Sequence, residues 1–191
     1  LLGRADHVRQ IGIDVTRHQM QRNGIKIIEA EAAFIDPHRI ELHPCAGGPP
    51  SQVTAEKVAI AVGTTTTRDD NIAFDGKHIF TSDDILDLQT LPKSLTVIGA
   101  GVIGIEYATI FATLGVRVTV IDKRLRILPF VDKEIIDTLV HLMRQERVTL
   151  RMGEEVSGID LVDGDQGQKV HIALKSGKHI NCETVLYSIG R

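Results

Sequence analysis

The sequence contains no tryptophan, and aromatic residues make up only 4% of its 191 residues. Proteins that bind single-stranded nucleic acids stack the bases on aromatic side chains, so this scarcity argues against such a surface. The net charge of −3, from 22 basic and 25 acidic residues, also excludes a strongly basic nucleic-acid-binding protein. No apolar run approaches the roughly 20 residues of a membrane-spanning helix. We therefore expect neither a nucleic-acid partner nor a membrane partner.

Cysteine is scarce as well. The two cysteines, Cys45 and Cys182, form no CxxC pair, which excludes both a disulfide framework and a four-cysteine zinc site. The first residues lack the basic start and the apolar run of a signal peptide, so we expect a cytoplasmic protein. Because the chain does not begin with Met and stops directly after a strand-like segment, we interpret it as part of a longer protein.

The first 80 residues combine one helical pattern with short strand-like runs. Apolar residues recur at the spacing of an amphipathic helix over residues 1–23. Strands are predicted at 25–30, 34–35 and 39–42 and within 53–62. Loop composition dominates between residues 75 and 92, where Ser82 or Asp83 can cap a short helix. We predict a first domain at 1–80, a linker at 81–91 and a second domain at 92–191.

From residue 95 the pattern alternates between strands and helices. Strands are predicted at 95–98, 116–121 and 148–150, and helices at 102–114 and 135–145. This alternation indicates an α/β domain with a Rossmann-like parallel sheet. Short alternating strands at 155–161, 170–174 and 179–185, with a turn at Asp163-Gly164-Asp165, predict a small antiparallel β-meander. Residues 184–187 are predicted to return to the main sheet.

A glycine motif connects the first of these strands to the helix that follows. Its residues are Gly99, Ala100, Gly101, Val102, Ile103 and Gly104, in the pattern GxGxxG. In a dinucleotide-binding fold, the first glycine permits the tight turn and the second lets the backbone approach a pyrophosphate. The third lets the helix pack close to the strand. The amide groups at the helix start then favour the phosphate anions.

An acidic residue ends the second strand. Asp122 lies 18 positions after Gly104, where a carboxylate accepts a hydrogen bond from the adenosine ribose. Lys123 and Arg124 follow it, and cations at this place can hold the 2′-phosphate of NADP(H). Two interpretations stay open: a solvated loop beside an NAD(H) site, or a site that accepts both NAD(H) and NADP(H). The sequence shows no general acid, base or nucleophile, which fits chemistry carried by a cofactor.

Three segments resemble one protein family. Residues 98–106 (IGAGVIGIE), followed by strand 118–122 (VTVID), resemble the NAD(P) domain of the two-dinucleotide-binding flavoprotein reductases. Residues 59–64 (AIAVGT) resemble the segment where the flavin domain of this family meets FAD. Residues 188–191 (SIGR) resemble the segment where the chain leaves the NAD(P) domain. Within the family, nearly the whole chain is most similar to the soluble transhydrogenases.

The resemblance implies a homo-oligomeric parent enzyme that passes hydride between NADPH and NAD⁺ through FAD. By position, Gly99, Gly101 and Gly104 would hold the pyrophosphate, Asp122, Lys123 and Arg124 would meet the adenosine ribose, Val102, Glu106 and Gly190 would lie at the nicotinamide end, and Gly63 would lie near FAD. The family's first glycine motif and its cysteine segment are absent from this chain, so we expect residues 1–80 to be only part of an FAD-binding domain. We expect that the chain alone does not catalyse this hydride transfer.

The sequence leaves two alternative functions open. One is a flavoprotein reductase similar to dihydrolipoamide dehydrogenase, which would be NAD-selective. The other belongs to a different class, a binding module that senses NADH without chemistry.

Overall fold

The structure of the chain is a computed structural model that describes residues 2–164 and 167–190. Leu1 of the predicted first helix, Asp165 of the predicted turn and Arg191 of the last motif lie outside the described residues. The helices are α1 Leu2–Arg22, α2 Val102–Thr113 and α3 Lys133–Gln145, with a 3₁₀ turn at Ile85–Asp87. The strands are β1 Ala30–Asp36, β2 Arg39–Pro44, β3 Ser51–Thr54, β4 Ile79–Thr81, β5 Ser94–Ile98, β6 Arg117–Asp122, β7 Thr149–Met152, β8 Val156–Gly164, β9 Gly167–Leu174, β10 His179–Cys182 and β11 Thr184–Tyr187.

The chain divides into two compact units, residues 1–63 and 64–191. The first unit consists of α1 and an antiparallel sheet in the order β1-β2-β3, with Ala32 opposite Leu42. The predicted helix is present and ends at Arg22, and Gly24, two residues later, has a φ of +68° that only glycine readily adopts. The predicted strand over 25–30 is wrong, because only Ala30 belongs to a strand. Of the strand predicted within 53–62, only residues 53 and 54 belong to a strand, at the end of β3, and residues 58–63 form no regular strand.

The second unit is built on a five-stranded parallel sheet in the order β4-β11-β5-β6-β7. Successive residues of a strand point to opposite faces, so Val97 packs towards the helices while Ile98 packs towards the other side. The helical face carries α2 and α3, with Ile105, Phe111 and Met143 buried against the strands. This arrangement confirms the predicted α/β class and the predicted parallel sheet.

An antiparallel sheet in the order β10-β9-β8 covers the other face of the parallel sheet. Its apolar residues Ile159, Val170 and Ile172 pack with Ile121 and Val185 of the parallel sheet in one buried cluster. The predicted meander is therefore present, and the strand predicted at 184–187 does return to the main sheet as β11. None of the helices formed by the described residues has the combined length and apolar character that crossing a bilayer requires.

The boundary between the units differs from the predicted domain boundary. Strand β4, which lies in the predicted first domain and linker, pairs in parallel with β11, and Phe80 is 1% exposed. The second unit therefore extends upstream to Thr64. A three-residue strand gives too short an apolar run to be distinguished from a loop by sequence pattern.

The predicted helix cap at Ser82 or Asp83 is wrong. Only a single 3₁₀ turn forms, and Asp84 occupies its N-cap position without a side-chain hydrogen bond to the turn. The Asp84 carboxylate instead accepts hydrogen bonds from the N–H and the hydroxyl of Thr81, at the end of β4. The local polar residues therefore terminate a strand rather than begin a long helix.

The burial of Phe80 gives a direct test of this boundary. Phe80→Ala should lower the free energy of unfolding by about 3–5 kcal/mol, because it leaves a cavity in the core of the second unit. Phe130→Ala is the matched control, since Phe130 is 74% exposed, and it should change stability by less than about 0.5 kcal/mol. Urea unfolding followed by circular dichroism measures both variants. Equal effects of the two substitutions would contradict the placement of β4 in the core.

Candidate functional site

The turn between β5 and α2 is held very close to the end of β11. Gly99 has φ +106°, and a Cβ on it would lie 2.5 Å from the backbone oxygen of Ser188. A Cβ on Gly104 would overlap the carbonyl oxygen of Gly99. The Ser188 hydroxyl donates to the carbonyl oxygens of Ile98 and Gly99, at 3.0 and 3.1 Å. Packing within the protein therefore explains the first and third glycines of the motif.

The second glycine has a different environment. Gly101 is the N-cap residue of α2, with φ −78° and ψ −177°, and a Cβ there would meet nothing within 4 Å. The first hydrogen bond of the helix runs from the Ile105 N–H to the Gly101 carbonyl, at 3.0 Å. The amides of Val102 and Ile103 precede this bond, so the helix itself supplies no acceptor for them. The fold does not require a glycine at 101, whereas a ligand approaching the helix start would.

A cleft of about 840 Å³ opens at the carboxyl ends of the parallel strands. Its volume is in the range of sites for small molecules and cofactors. The predicted site residues that line it are Gly99, Gly101, Val102, Ile103, Asp122, Lys123, Arg124 and Gly190. The structure therefore brings together the glycine turn, the end of β6 and the segment after β11.

Four predicted site residues lie elsewhere. Ala100 is buried beneath the turn, and its N–H donates to Asp122. Gly104 packs against the turn from inside the helix. Glu106 is exposed on α2 and does not line the cleft, and Gly63 belongs to the first compact unit. Their roles in binding stay predictions.

Asp122 is almost completely buried and accepts four hydrogen bonds. Its Oδ2 accepts from the Ala100 N–H at 2.6 Å and from Arg124 Nη2 at 2.5 Å. Its Oδ1 accepts from the Arg124 N–H and Nε at 2.8 and 2.9 Å. Burial by itself would raise the pKa of Asp122, but the hydrogen bonds from Arg124 and Ala100 hold it below its ordinary value. The carboxylate therefore remains charged at neutral pH.

Arg124 forms the outer half of this pair. Its side chain is 43% exposed, compared with 6% for Asp122, and contact with the carboxylate raises the pKa of its guanidinium. The guanidinium thus covers the acid on the side of the cleft. The sequence motif predicts both residues at this edge of the sheet but does not reveal that each uses the other as a partner.

Two groups of cleft residues carry no sequence motif and were not predicted. One group comprises Asp69, Asn71 and Ile72, which lie in the irregular segment before β4, and Ser82, which directly follows β4. The other comes from the start of β8 and the segment before it, residues 154–159. Neither group forms a motif, and both reach the cleft through the packing of β4 and β8, which the sequence pattern does not specify.

One family of known proteins matches nearly the whole chain. The family described as pyridine nucleotide-disulphide oxidoreductase matches residues 3–191 of the chain. The chain belongs to this family. It is an oxidoreductase family of flavoproteins, and the match confirms the resemblance found in the sequence.

The curated relatives include soluble pyridine nucleotide transhydrogenases. The chain is 44% identical to that of Mycobacterium bovis and 37% identical to that of Klebsiella pneumoniae, in each case over 191 residues. These matches cover 100% of this chain and 40% of each relative, so the chain spans about 40% of the length of the curated relatives it matches. The chain is therefore a homologue of the soluble pyridine nucleotide transhydrogenases.

Solved structures share the fold. LpdA from Mycobacterium tuberculosis aligns with a TM-score of 0.89 at 24% sequence identity, covering 99% of this chain and 41% of that protein. The HOCl-induced flavoprotein disulfide reductase RclA from Escherichia coli aligns with a TM-score of 0.85 at 23% identity, covering 100% of this chain and 42% of that protein. These structures support the same architecture of parallel and antiparallel sheets.

The contrast between Gly101 and Gly104 is testable through stability. Gly104→Ala should destabilise the chain by about 1–3 kcal/mol or more, because its Cβ meets a backbone oxygen that the turn cannot move. Gly101→Ala should change stability by less than about 1 kcal/mol, because the backbone angles suit alanine and the space is open. Urea unfolding of both variants measures the difference. A Gly101→Ala variant as unstable as Gly104→Ala would show that the fold itself needs the second glycine.

The pKa of Asp122 predicts a pH dependence of stability. Its folded pKa is lowered, so the carboxylate stabilises the fold above the unfolded value of about 3.9. This contribution is lost as the pH falls through the folded pKa. Asp122→Asn should therefore be less stable than the unaltered chain at pH 7, and the difference should shrink below about pH 4. Urea unfolding at several pH values measures the trend, and a difference that is constant down to pH 2 would contradict it.

Proposed function

We propose that the chain contributes the NAD(P)-binding portion of a flavoprotein transhydrogenase that moves hydride between NADPH and NAD⁺ through FAD. The homology to soluble pyridine nucleotide transhydrogenases over the whole chain supports this assignment. The single observation that carries it is the open space at Gly101, where a helix begins at the wall of the cleft.

The start of α2 suits a pyrophosphate. Unpaired amides at a helix N-terminus and the helix dipole both favour an anion. The missing Cβ at Gly101 lets the phosphate oxygens come within hydrogen-bond distance of the Val102 and Ile103 amides. No contact among the described residues calls for a glycine at this position, so we attribute its presence to the ligand.

The Asp122–Arg124 pair suits both forms of the dinucleotide. A carboxylate offers about four acceptor positions, and the protein already uses four on Asp122. A ribose 2′-hydroxyl can bind Asp122 only when the exposed Arg124 side chain gives up part of its contact. A 2′-phosphate needs a smaller change, because the guanidinium that neutralises Asp122 also offers donors to the phosphate.

The local charge points the same way. The acid of Asp122 is compensated by Arg124, and the exposed Lys123 also lines the cleft. Repulsion between Asp122 and a 2′-phosphate, which normally selects NAD(H), is therefore weakened here. We accordingly propose that NAD(H) and NADP(H) bind this site with comparable affinity.

The family also uses FAD. Gly63, the position that the resemblance assigns to the flavin, is an exposed glycine with φ +70° in a segment without regular secondary structure. One such glycine does not build a flavin site. We therefore assign the flavin, which would relay the hydride, to the parent enzyme as a whole and the dinucleotide to the cleft of this chain.

Titration of the 191-residue chain with NADH and with NADPH tests the proposal. The two dissociation constants should agree within about tenfold, a difference of about 1.4 kcal/mol. NADPH binding at least a hundredfold weaker than NADH binding would contradict dual specificity and favour a reductase selective for NAD. Binding of neither dinucleotide would contradict the proposed site.

Arg124→Ala isolates the role of the cation. It should weaken NADPH binding by about tenfold without weakening NADH binding, because only NADPH has a phosphate for the guanidinium to bind and the ribose hydroxyl of NADH no longer competes with Arg124 for Asp122. Arg117→Ala is the matched control, since Arg117 is an exposed arginine at the opposite end of β6 from Asp122. Isothermal titration calorimetry on the three proteins measures the selectivity. Equal losses for both dinucleotides in Arg124→Ala would refute the assigned role.

A further inference from the structure

The outer face of the antiparallel sheet carries two histidines in contact with each other. Side chains alternate along β9, so Val170 and Ile172 pack into the core while His171 lies on the outer face. His179 of β10 is its diagonal neighbour, because it pairs with Ala173, two residues after His171. The ring centroids are 4.9 Å apart, and Nε2 of His171 lies 3.1 Å from Nδ1 of His179. The register of β9 and β10 therefore builds the pair.

A third side chain determines which nitrogen of His171 carries the proton. Asn181 lies directly opposite His171 in the register, and its Oδ1 is 2.8 Å from His171 Nδ1. A carbonyl oxygen only accepts hydrogen bonds, so Nδ1 is the donor, and in the neutral ring Nε2 has a lone pair directed at His179. Histidines that bind metal ions are held in the same way, with the second ring nitrogen donating to a neighbouring acceptor.

The spacing of the two facing nitrogens suits a single metal ion. Imidazole nitrogens bind a zinc-like ion at about 2.0–2.1 Å, so two of them at an angle of about 90–110° lie roughly 2.8–3.4 Å apart. The observed distance of 3.1 Å between His171 and His179 falls within this range. His179 is exposed, so its ring can turn about its side-chain bonds to direct its lone pair at the same ion. The cation would take the place of the proton that the two rings share.

The neighbouring strand adds an acid to the same face. Asp160 of β8 is directly opposite His171 in the register, a position where Cβ atoms are about 4.5–5.5 Å apart. Its carboxylate can therefore accept a hydrogen bond from a water molecule bound to the ion. Among the described residues, no group of three or more histidine, cysteine, aspartate or glutamate side chains is arranged to hold a metal. The two histidine nitrogens are thus the direct protein ligands, and water fills the other positions.

We propose that His171 and His179 bind one divalent transition-metal ion, with Cu²⁺ binding more tightly than Zn²⁺. Imidazole suits both ions, and the affinity of a nitrogen site for first-row divalent ions is greatest for Cu²⁺. The ion would join β9 to β10, whose connecting turn carries Lys175 and Lys178. Neither histidine lines the dinucleotide cleft, so this inference does not depend on the proposed function.

Calorimetric titration of the 191-residue chain with CuCl₂ and with ZnCl₂, without dinucleotide, tests the site. The tightest site should take one ion and prefer Cu²⁺. His171→Gln and His179→Gln should each weaken Cu²⁺ binding at least about tenfold, since loss of even an outer-shell partner costs about 10–100-fold. His141→Gln is the matched control, because His141 is an exposed histidine of α3, and it should leave the affinity of this site unchanged.

Electron paramagnetic resonance identifies the ligands in the unaltered chain, whether or not the variants fold. One bound equivalent of Cu²⁺ should show coupling to two imidazole nitrogens, and each variant should show coupling to one. Zn²⁺ should also raise the thermal unfolding temperature of the unaltered chain more than that of either variant, because the ion binds the folded hairpin. Equal Cu²⁺ affinity in all four proteins, or a spectrum of the unaltered chain with fewer than two coupled nitrogens, would overturn the inference and leave the proposed function untouched.

Discussion

The backbone oxygen of Ser188 lies so close to Gly99 that no side chain fits between them. This contact draws the glycine turn against the end of β11, and the absence of a side chain at Gly104 then lets α2 begin directly above the turn. Both approaches are between backbone atoms, which cannot change rotamer to relieve a clash. The position of the α2 N-terminus at the sheet edge, and with it the cleft, depends on this packing.

Asp122 shows how one residue can serve the fold and the site together. Its hydrogen bond from the Ala100 N–H joins the end of β6 to the glycine turn, so the carboxylate holds in place the loop on which a phosphate would lie. Its bonds to Arg124 satisfy the remaining acceptor positions of a nearly buried charge. Removing the acid would therefore disturb the glycine turn as well as the proposed contact with the ribose, so that stability and binding have to be measured separately at this position.

Sequence patterns predicted the second unit best where strand and helix signals are long. The 95–98 strand, the glycine motif and the apolar stripe of α3 follow clear periodicities, and the structure has them close to their predicted bounds. Strand β4 was missed because three residues carry no period, although Phe80 is central to the core. Residues 25–29 have strand-like composition but remain irregular, because strand formation depends on partners that local sequence does not supply.

Three acids that line the cleft are each paired with a neighbouring cation. Glu154 and Glu155 line the cleft, and each pairs with a lysine of the turn between β9 and β10, Lys178 at 2.6 Å and Lys175 at 2.7 Å. These lysines lower the pKa values of both glutamates, which therefore remain charged but locally neutralised. With Asp122 compensated by Arg124 in the same way, three acids of the cleft each have a cation at contact distance. The antiparallel sheet thus does more than cover the core, because the turn between β9 and β10 supplies the positive charge that neutralises two acids of the cleft.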